Sequence, residues 1–330
     1  MIEQCTIKDV TRVIHEYMPS VLHTEPKYTM PQKDLEWLVF SGIARGDIAG
    51  SRWEFLHDML EQNGTDYLDC GFEEDHRFTD DTAMAFAIYK AAKEIREHGY
   101  DDESAVKCYA QNMRETAKKY PHAGYGHMFF TWAVLNEPNV IPSFGNGSAM
   151  RAGTIGCVFD DPQEVIRQAF LSALPTHAHP EGVKGAVCTA MAVWMALHNY
   201  IKEETIEYIS RHYETTYDGK PYFISPKLEF EELMAKRSLS VRCQETLPEV
   251  CIQFRTGRSY DETIRLSYQY MSDTDTVGAI VGGIAAAFYG DANIIANHHG
   301  IGEAMADHKN GTKLFPLEKL LPKEMMEEFA

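Results

Sequence analysis

The chain has no Cys-x-x-Cys pair. Its seven cysteines, Cys5, Cys70, Cys108, Cys157, Cys188, Cys243 and Cys251, are odd in number and scattered, which excludes a disulfide framework and a zinc site built on paired thiolates. The N-terminus has no basic region followed by an apolar core and no small-residue cleavage pattern, so no secretion signal is expected. Long apolar runs are missing too, since the longest, Val277 to Tyr289, falls far short of a membrane span. Positive charge is scarce: 31 Lys and Arg stand against 49 Asp and Glu, a formal net charge of −18. That balance argues against nucleic acid and against an anionic membrane as partners. Period-two alternation never persists beyond a few residues, and no repeat of solenoid length is present, so a sheet or a repeat array finds little support. Together the absences predict a reducing, cytoplasmic, soluble, all-α protein.

What is there fits one large domain: 330 residues, 44% of them hydrophobic. Residues 1–36 are mixed in charge and interrupted by Pro19, Pro26 and Pro31, and read as an N-terminal extension to a helical domain over 37–330. A helix from Gln32–Asp34 to about Gly50 would place Val39, Ile43 and Gly46 on one face. Gly46 and Gly50, four residues apart, would admit another backbone closely. Further helices are expected from Asp80 to Gly99, Asp101 to Tyr120, Asp161 to Leu174, Gly182 to about Tyr200, Glu249 to Thr256, Asp261 to Met271 and Val277 to Tyr289. The segments 64–77, 121–142 and 213–240 read as irregular connections.

The chemistry centres on Phe78-Thr79-Asp80-Asp81-Thr82, where two adjacent carboxylates stand at a helix start. One Asp suits the free N–H groups and the dipole there. The second adds like-charge repulsion that a divalent cation would relieve. Asp273-Thr274-Asp275-Thr276 repeats the pattern before a helix carrying Gly278, Gly282, Gly283 and Ala285 to Ala287, small residues that would let a second helix pack closely. Oxygen-only clusters suit Mg²⁺ or Mn²⁺ rather than zinc. On the residues alone, two separately capped helices remain an alternative.

Four blocks in order, Gly46-Asp47-x-x-Gly50-x-x-x-Glu54, Phe78-Thr79-Asp80-Asp81-Thr82, Gly145-Asn146-Gly147-Ser148-Ala149-Met150-Arg151 and Asp273-Thr274-Asp275-Thr276, give the chain its resemblance to the ADP-ribosylglycohydrolases over roughly residues 38–292. The resemblance implies an all-α domain with a dinuclear Mg²⁺ or Mn²⁺ centre that binds ADP-ribose and cleaves the bond at its anomeric carbon. Thr79, Asp80, Asp81, Asp273, Asp275 and Thr276 would be the metal ligands, and Glu54, with Asp80 and Asp275, would carry the chemistry through an oxocarbenium-like transition state.

Gly124 and Gly126 resemble a loop that presents backbone N–H groups to a diphosphate, which would answer how so acidic a chain binds an anion; an ordinary turn is the other reading. Ser143, Gly145, Asn146, Gly147 and Ser148 would line the pocket, with Phe144 stacking on adenine and His177 near the ligand, whereas His179 reads equally as a loop residue. Members of the family commonly have Gly-Gly where this chain has Met271-Ser272, and many begin almost directly at the Gly-Asp block. The expected activity is hydrolytic removal of ADP-ribose from a protein side chain such as arginine, or from a small ADP-ribosyl substrate. A second reading is a binding protein that neutralises an ADP-ribosyltransferase toxin through residues 1–36. A metal-dependent phosphoesterase is disfavoured because no clustered His-Asp set is present.

Overall fold

The computed structural model describes residues 4–54, 76–236, 240–270, 272–290 and 317–329. Cys70, Phe55, most of the segment 64–77 and Met271 lie outside the described residues. After a short 3-10 turn, Ile7–Asp9, come α1 Val10–Tyr17, α2 Gln32–Ser51, α3 Asp80–His98, α4 Asp102–Lys119 and α5 His127–Leu135. Then follow α6 Gly147–Ala152, α7 Ile155–Val158, α8 Pro162–Ala173, α9 Pro180–Leu197, α10 Lys202–His212 and α11 Phe230–Lys236. The chain ends with α12 Cys243–Thr256, α13 Tyr260–Gln269, α14 Thr274–Tyr289, α15 Leu317–Leu320 and α16 Lys323–Phe329. No strand occurs among the described residues, only isolated bridges such as Pro142 with His177 and Gly145 with Arg242. The protein is all-α. No helix among the described residues is long and apolar enough to cross a membrane.

The pairing of α2 with α14 organises the rest. A Cβ on Gly42 would reach 2.7 Å from the Gly282 carbonyl, and one on Gly46 or Gly50 would penetrate the carbonyl of Gly278 or Thr274. As numbers rise along α2 they fall along α14, so the helices run antiparallel at backbone contact. Their missing side chains are what allow it. Because of that direction, the C-terminal end of α2 lies against the N-terminal end of α14. Around this pair, α9 is buried from Glu181 to Leu197, and α3 is tied to α2 at one end by Glu36, which accepts from the Tyr89 hydroxyl at 2.6 Å and pairs with Arg96 at 3.3 Å.

Residues 5–28 lie along the domain. Val13 and Tyr17 are buried, the Tyr17 ring stacks on His212 at 4.5 Å, and the Cys5 amide donates to the Ala178 carbonyl at 2.6 Å. The Tyr28 hydroxyl donates to the Ala287 carbonyl at 2.9 Å.

Several elements differ from the sequence expectation. Helix α5 forms inside 121–142 and α11 inside 213–240, both short enough to be hidden by neighbouring Pro and Gly. Helix α12 starts at Cys243 and absorbs Pro248, which forgoes only the bond to the Gln244 carbonyl. Helix α14 starts at Thr274, so the second acidic block is its first turn rather than its approach.

Candidate active site

The two acidic blocks meet because of how their helices begin. The cap of α3 is Thr79, whose hydroxyl accepts from the Asp81 amide at 3.4 Å, so Asp80 and Asp81 occupy its first two positions without serving as its cap. Asp273 holds the cap position of α14 yet makes no capping bond. Its carboxylate instead accepts from Asn146 Nδ2 at 2.6 Å, and the same nitrogen donates to Thr246 Oγ1 at 3.0 Å. The helices are therefore not two independently capped starts. One carboxylate oxygen each from Asp47, Asp81 and Asp275 lies within 4.8 Å of the others, and the same holds for Glu54, Asp273 and Asp275.

Asp47 ties the blocks together. Fully buried on α2, it accepts from the Thr79 amide at 2.9 Å, the Thr79 hydroxyl at 2.7 Å, the Thr82 amide at 3.1 Å and the Thr82 hydroxyl at 2.5 Å. The Thr79 hydroxyl also lies 3.0 Å from Asp81 Oδ2. In the sequence, Asp47 stands within the Gly-Asp block with no role of its own. The signal was its place one residue after a glycine that forces close contact.

Crowding of acids raises their proton affinity. Burial first, then the charge of Asp275, pushes Asp47 and Glu54 up to about 7 and Asp80 up to about 8. The same causes hold Asp81 and Asp273 well above the usual carboxylate range, and burial raises Asp275. Asp81 Oδ1 is buried with no hydrogen-bond partner. An all-oxygen set with an orphaned, buried carboxylate oxygen fits a hard divalent cation.

The acids form one wall of a cavity of about 530 Å³. Glu54, Thr79, Asp80, Asp81, Asp273, Asp275 and Thr276 line it, as do Gly124, Gly126, Ser143, Gly145, Asn146, Gly147 and His177. Gly124 has φ +96°, and its Cβ position would be 3.8 Å from Asp80 Oδ1, so a side chain there would be strained and near the acids. The Ser143 hydroxyl accepts from the Gly145 amide at 3.0 Å.

Two expected residues lie elsewhere. Ser148 is buried with its hydroxyl donating to the Gly182 carbonyl at 2.7 Å. Phe144 is 37% exposed and sits beside the cavity, edge-on to His179 at 5.3 Å. Ser272 is buried with its hydroxyl on Glu249, 2.9 Å from each oxygen, so it points away from the cavity. Beyond the expected set, Met84, Ile141 and Val241 supply apolar wall, and Arg151 and Thr176 also border the cavity.

A family model described as ADP-ribosylglycohydrolase matches residues 39–306. Among curated proteins, the chain is similar to ADP-ribosylhydrolase ARH3 of Gallus gallus, 28% identical over 275 residues, covering 66% of this chain and 71% of that protein. It is similar to the Homo sapiens protein of the same name, 28% identical over 267 residues, covering 64% and 71%. With the Xenopus tropicalis protein the identity is 25% over 332 residues, covering 84% and 93%. A solved structure titled ADP-ribosylglycohydrolase-related protein complex superposes with a TM-score of 0.52 at 22% identity, covering 78% of this chain and 88% of that one, a likeness of fold. With the match spanning most of the chain and the acid-lined cavity inside it, this protein belongs to the ADP-ribosylglycohydrolase family, metal-dependent enzymes that hydrolyse a glycosidic bond to ADP-ribose.

Proposed function

We propose that the enzyme removes ADP-ribose from ADP-ribosyl-arginine on protein, with two Mg²⁺ or Mn²⁺ ions held by Thr79, Asp80, Asp81, Asp273, Asp275 and Thr276. The observation that carries the reading is the convergence of both acidic blocks on one cavity wall with Asp81 Oδ1 left without a partner. When bound, the ions would supply positive charge to the ribose hydroxyls and to the attacking water.

The chain's own residues account for the rest. Glu54 stands half-buried at the cavity, where burial and the neighbouring acids raise its proton affinity. It is placed to take a proton from water or give one to the leaving group. Asp80 and Asp275 hold charge opposite the oxocarbenium-like centre. Gly124 and Gly126 leave the backbone before α5 open to a diphosphate, and Ser143, Gly145, Gly147 and His177 form the facing wall. Phe144 offers a partly exposed ring for adenine, and Ser148 acts by anchoring the start of α6.

Charge supports arginine as the target. Together with buried Asp47, the cavity-lining Glu54, Asp80, Asp81, Asp273 and Asp275 carry six negative charges when ionised and two divalent ions offset four, leaving the site attractive to a guanidinium leaving group. The test is release of free ADP-ribose from arginine-linked and serine-linked ADP-ribosylated protein, with Mg²⁺ or Mn²⁺ and with EDTA, for wild type and Asp80→Ala. Release from arginine that requires metal and is lost in the variant supports the proposal. Release from serine alone overturns the linkage, and metal-independent release overturns the site. Neutralisation of an ADP-ribosyltransferase through residues 1–36 gains no support from the burial of Val13 and Tyr17 against the domain.

A further inference from the structure

Arg151 closes the third sequence block and has no part in the chemistry above. It is 1% exposed, borders the cavity, and its Nε has no hydrogen-bond partner. Its Nη2 donates to the Ser172 carbonyl at 3.2 Å and to Thr176 Oγ1 at 2.9 Å. Thr176 is also 1% exposed, and its Oγ1 lies 2.8 Å from His177 Nδ1. On the far side of that ring, Cβ positions on Gly147 and Gly145 would sit 3.1 Å and 3.7 Å from Nε2, so Nε2 faces the two glycines that line the cavity.

The proton count in this chain of contacts has one economical solution. A guanidinium has only donors, so Thr176 Oγ1 accepts from Arg151. The threonine hydroxyl then has one hydrogen to place in a buried setting. If His177 carried its own hydrogen on Nδ1, two donors would face one oxygen and the hydroxyl hydrogen would have no acceptor among the described residues, which a dry site penalises. With Nδ1 bare, the hydroxyl donates to it, and Thr176 Oγ1 and His177 Nδ1 are both met.

We infer that Arg151 and Thr176 are positioning residues that fix His177 as the neutral tautomer with its hydrogen on Nε2, so that the ring offers an N–H donor to an anionic diphosphate oxygen in the cavity. The inference rests on the ADP-ribose reading for the identity of that oxygen and on this structure alone for the tautomer. Burial and the Arg151 charge also hold the imidazolium form off, lowering the histidine well below its usual range. A neutral ring locked this way neither accepts a proton from substrate nor ligates a cation through Nε2. It orients.

The test is two-bond ¹H–¹⁵N correlation spectroscopy of full-length protein labelled at histidine, with His177 assigned by its loss in His177→Gln. Spectra between about pH 5.5 and 8 are paired with calorimetric titration of ADP-ribose. Wild type is expected to show the neutral Nε2–H pattern throughout. The isosteric Thr176→Val is expected to mix tautomers or protonate, and to bind ADP-ribose about tenfold more weakly, the order of one charge-assisted hydrogen bond. A wild-type Nδ1–H pattern, an imidazolium near pH 6, or an unchanged tautomer in Thr176→Val overturns the inference. The wild-type spectrum decides even if Arg151 variants do not fold. A wild type with the Nε2–H tautomer that binds no ADP-ribose keeps the relay and removes the substrate reading.

Discussion

Replacing Asp275 by Asn separates a metal centre from a structural acid cluster, because the two assign opposite signs to the metal-free protein. In wild type, each ion present at about 100 times its Kd adds about 2.7 kcal/mol to stability, so two add about 5 kcal/mol. At about 2.1 cal/mol/K per residue, a chain of 330 residues has an unfolding entropy of roughly 0.7 kcal/mol/K. Saturating Mg²⁺ or Mn²⁺ should then raise Tm by about 8 °C. Asp275→Asn should reduce that rise to about 2 °C or less, since Asp275 belongs to both acid groups able to hold an ion.

Without metal the variant should be no less stable than wild type. The charge of Asp275 contributes to the raised proton affinity of Asp47, Glu54, Asp80, Asp81 and Asp273. At 4.8 Å and an effective dielectric of about 20, the pairs of Asp275 with Asp47, Glu54, Asp81 and Asp273 each repel by about 3 kcal/mol before protonation relieves them. Asn keeps the oxygen that accepts from the Thr276 amide at 2.9 Å. The pH dependence follows from the direction of the shifts. Asp47 and Asp80 have folded values of about 7 and about 8, above the unfolded value of 3.8, so their contribution to metal-free stability is full below about pH 4 and lost as pH rises through about 7 to 8. The metal-free variant should therefore gain on wild type between pH 5 and 8, by about 1–3 kcal/mol at the upper end. Thermal melts of EDTA-treated and metal-loaded protein across that range provide the measurement. A retained metal shift, or a metal-free variant several degrees below wild type at pH 8, would refute the reasoning.

Gly46→Ala places a methyl inside the Gly278 carbonyl and should cost about 1–3 kcal/mol in urea unfolding while weakening the metal-dependent Tm shift, because both acid-bearing ends must separate. Glu54→Gln should lower kcat by about a hundredfold or more in ADP-ribose release, and because Glu54 belongs to only one of the two acid groups, the share of the metal-dependent Tm shift owed to Asp47, Asp81 and Asp275 should remain. Deleting residues 1–36 removes buried Val13 and Tyr17 and takes away Glu36, stranding the Tyr89 hydroxyl; loss of more than about 3 kcal/mol is expected, so partner binding is better tested with surface changes such as Arg12→Glu. Glu249 is fully buried and pushed up to about 8 by burial, so its contribution is full below about pH 4.5 and lost as pH rises through 8; Glu249→Gln should flatten the fall in Tm of metal-loaded protein above pH 7.

Much of the fold was legible because its signals are local. The Asp161-Pro162 entry and the Gly99 stop predicted α8 and α3 to within a residue or two. Helices α5 and α11 were missed for a physical reason: at 9 and 7 residues they lie near the length at which a helix owes its stability to tertiary packing rather than propensity. Pro248 misplaced the start of α12, since a chain-local rule takes proline as a boundary while the packed helix tolerates one missing bond.

The candidate site was legible in its parts and illegible in its closure. Paired acids at a helix start are ambiguous between cap and ligand, and the occupancy of the cap by Thr79, and of the Asp273 carboxylate by Asn146, removes the cap reading. Asp47 offers only its place after Gly46 as a signal, because its four donors come from residues more than thirty positions away. What joins the parts is register. Gly42, Gly46 and Gly50 recur every four residues on α2 and oppose Gly282, Gly278 and Thr274 on α14. A four-residue slip would keep a small-residue stripe facing a small-residue stripe, yet it would move Glu54 about 6 Å along the axis and away from Asp273 and Asp275. Close packing alone therefore does not choose the functional register. The bonds from Thr79 and Thr82 to Asp47, and from the Thr274 hydroxyl to the Gly50 carbonyl at 2.7 Å, do so by leaving polar groups unmet in any other alignment. The threonines that flank the acids thus set the distance between the acids.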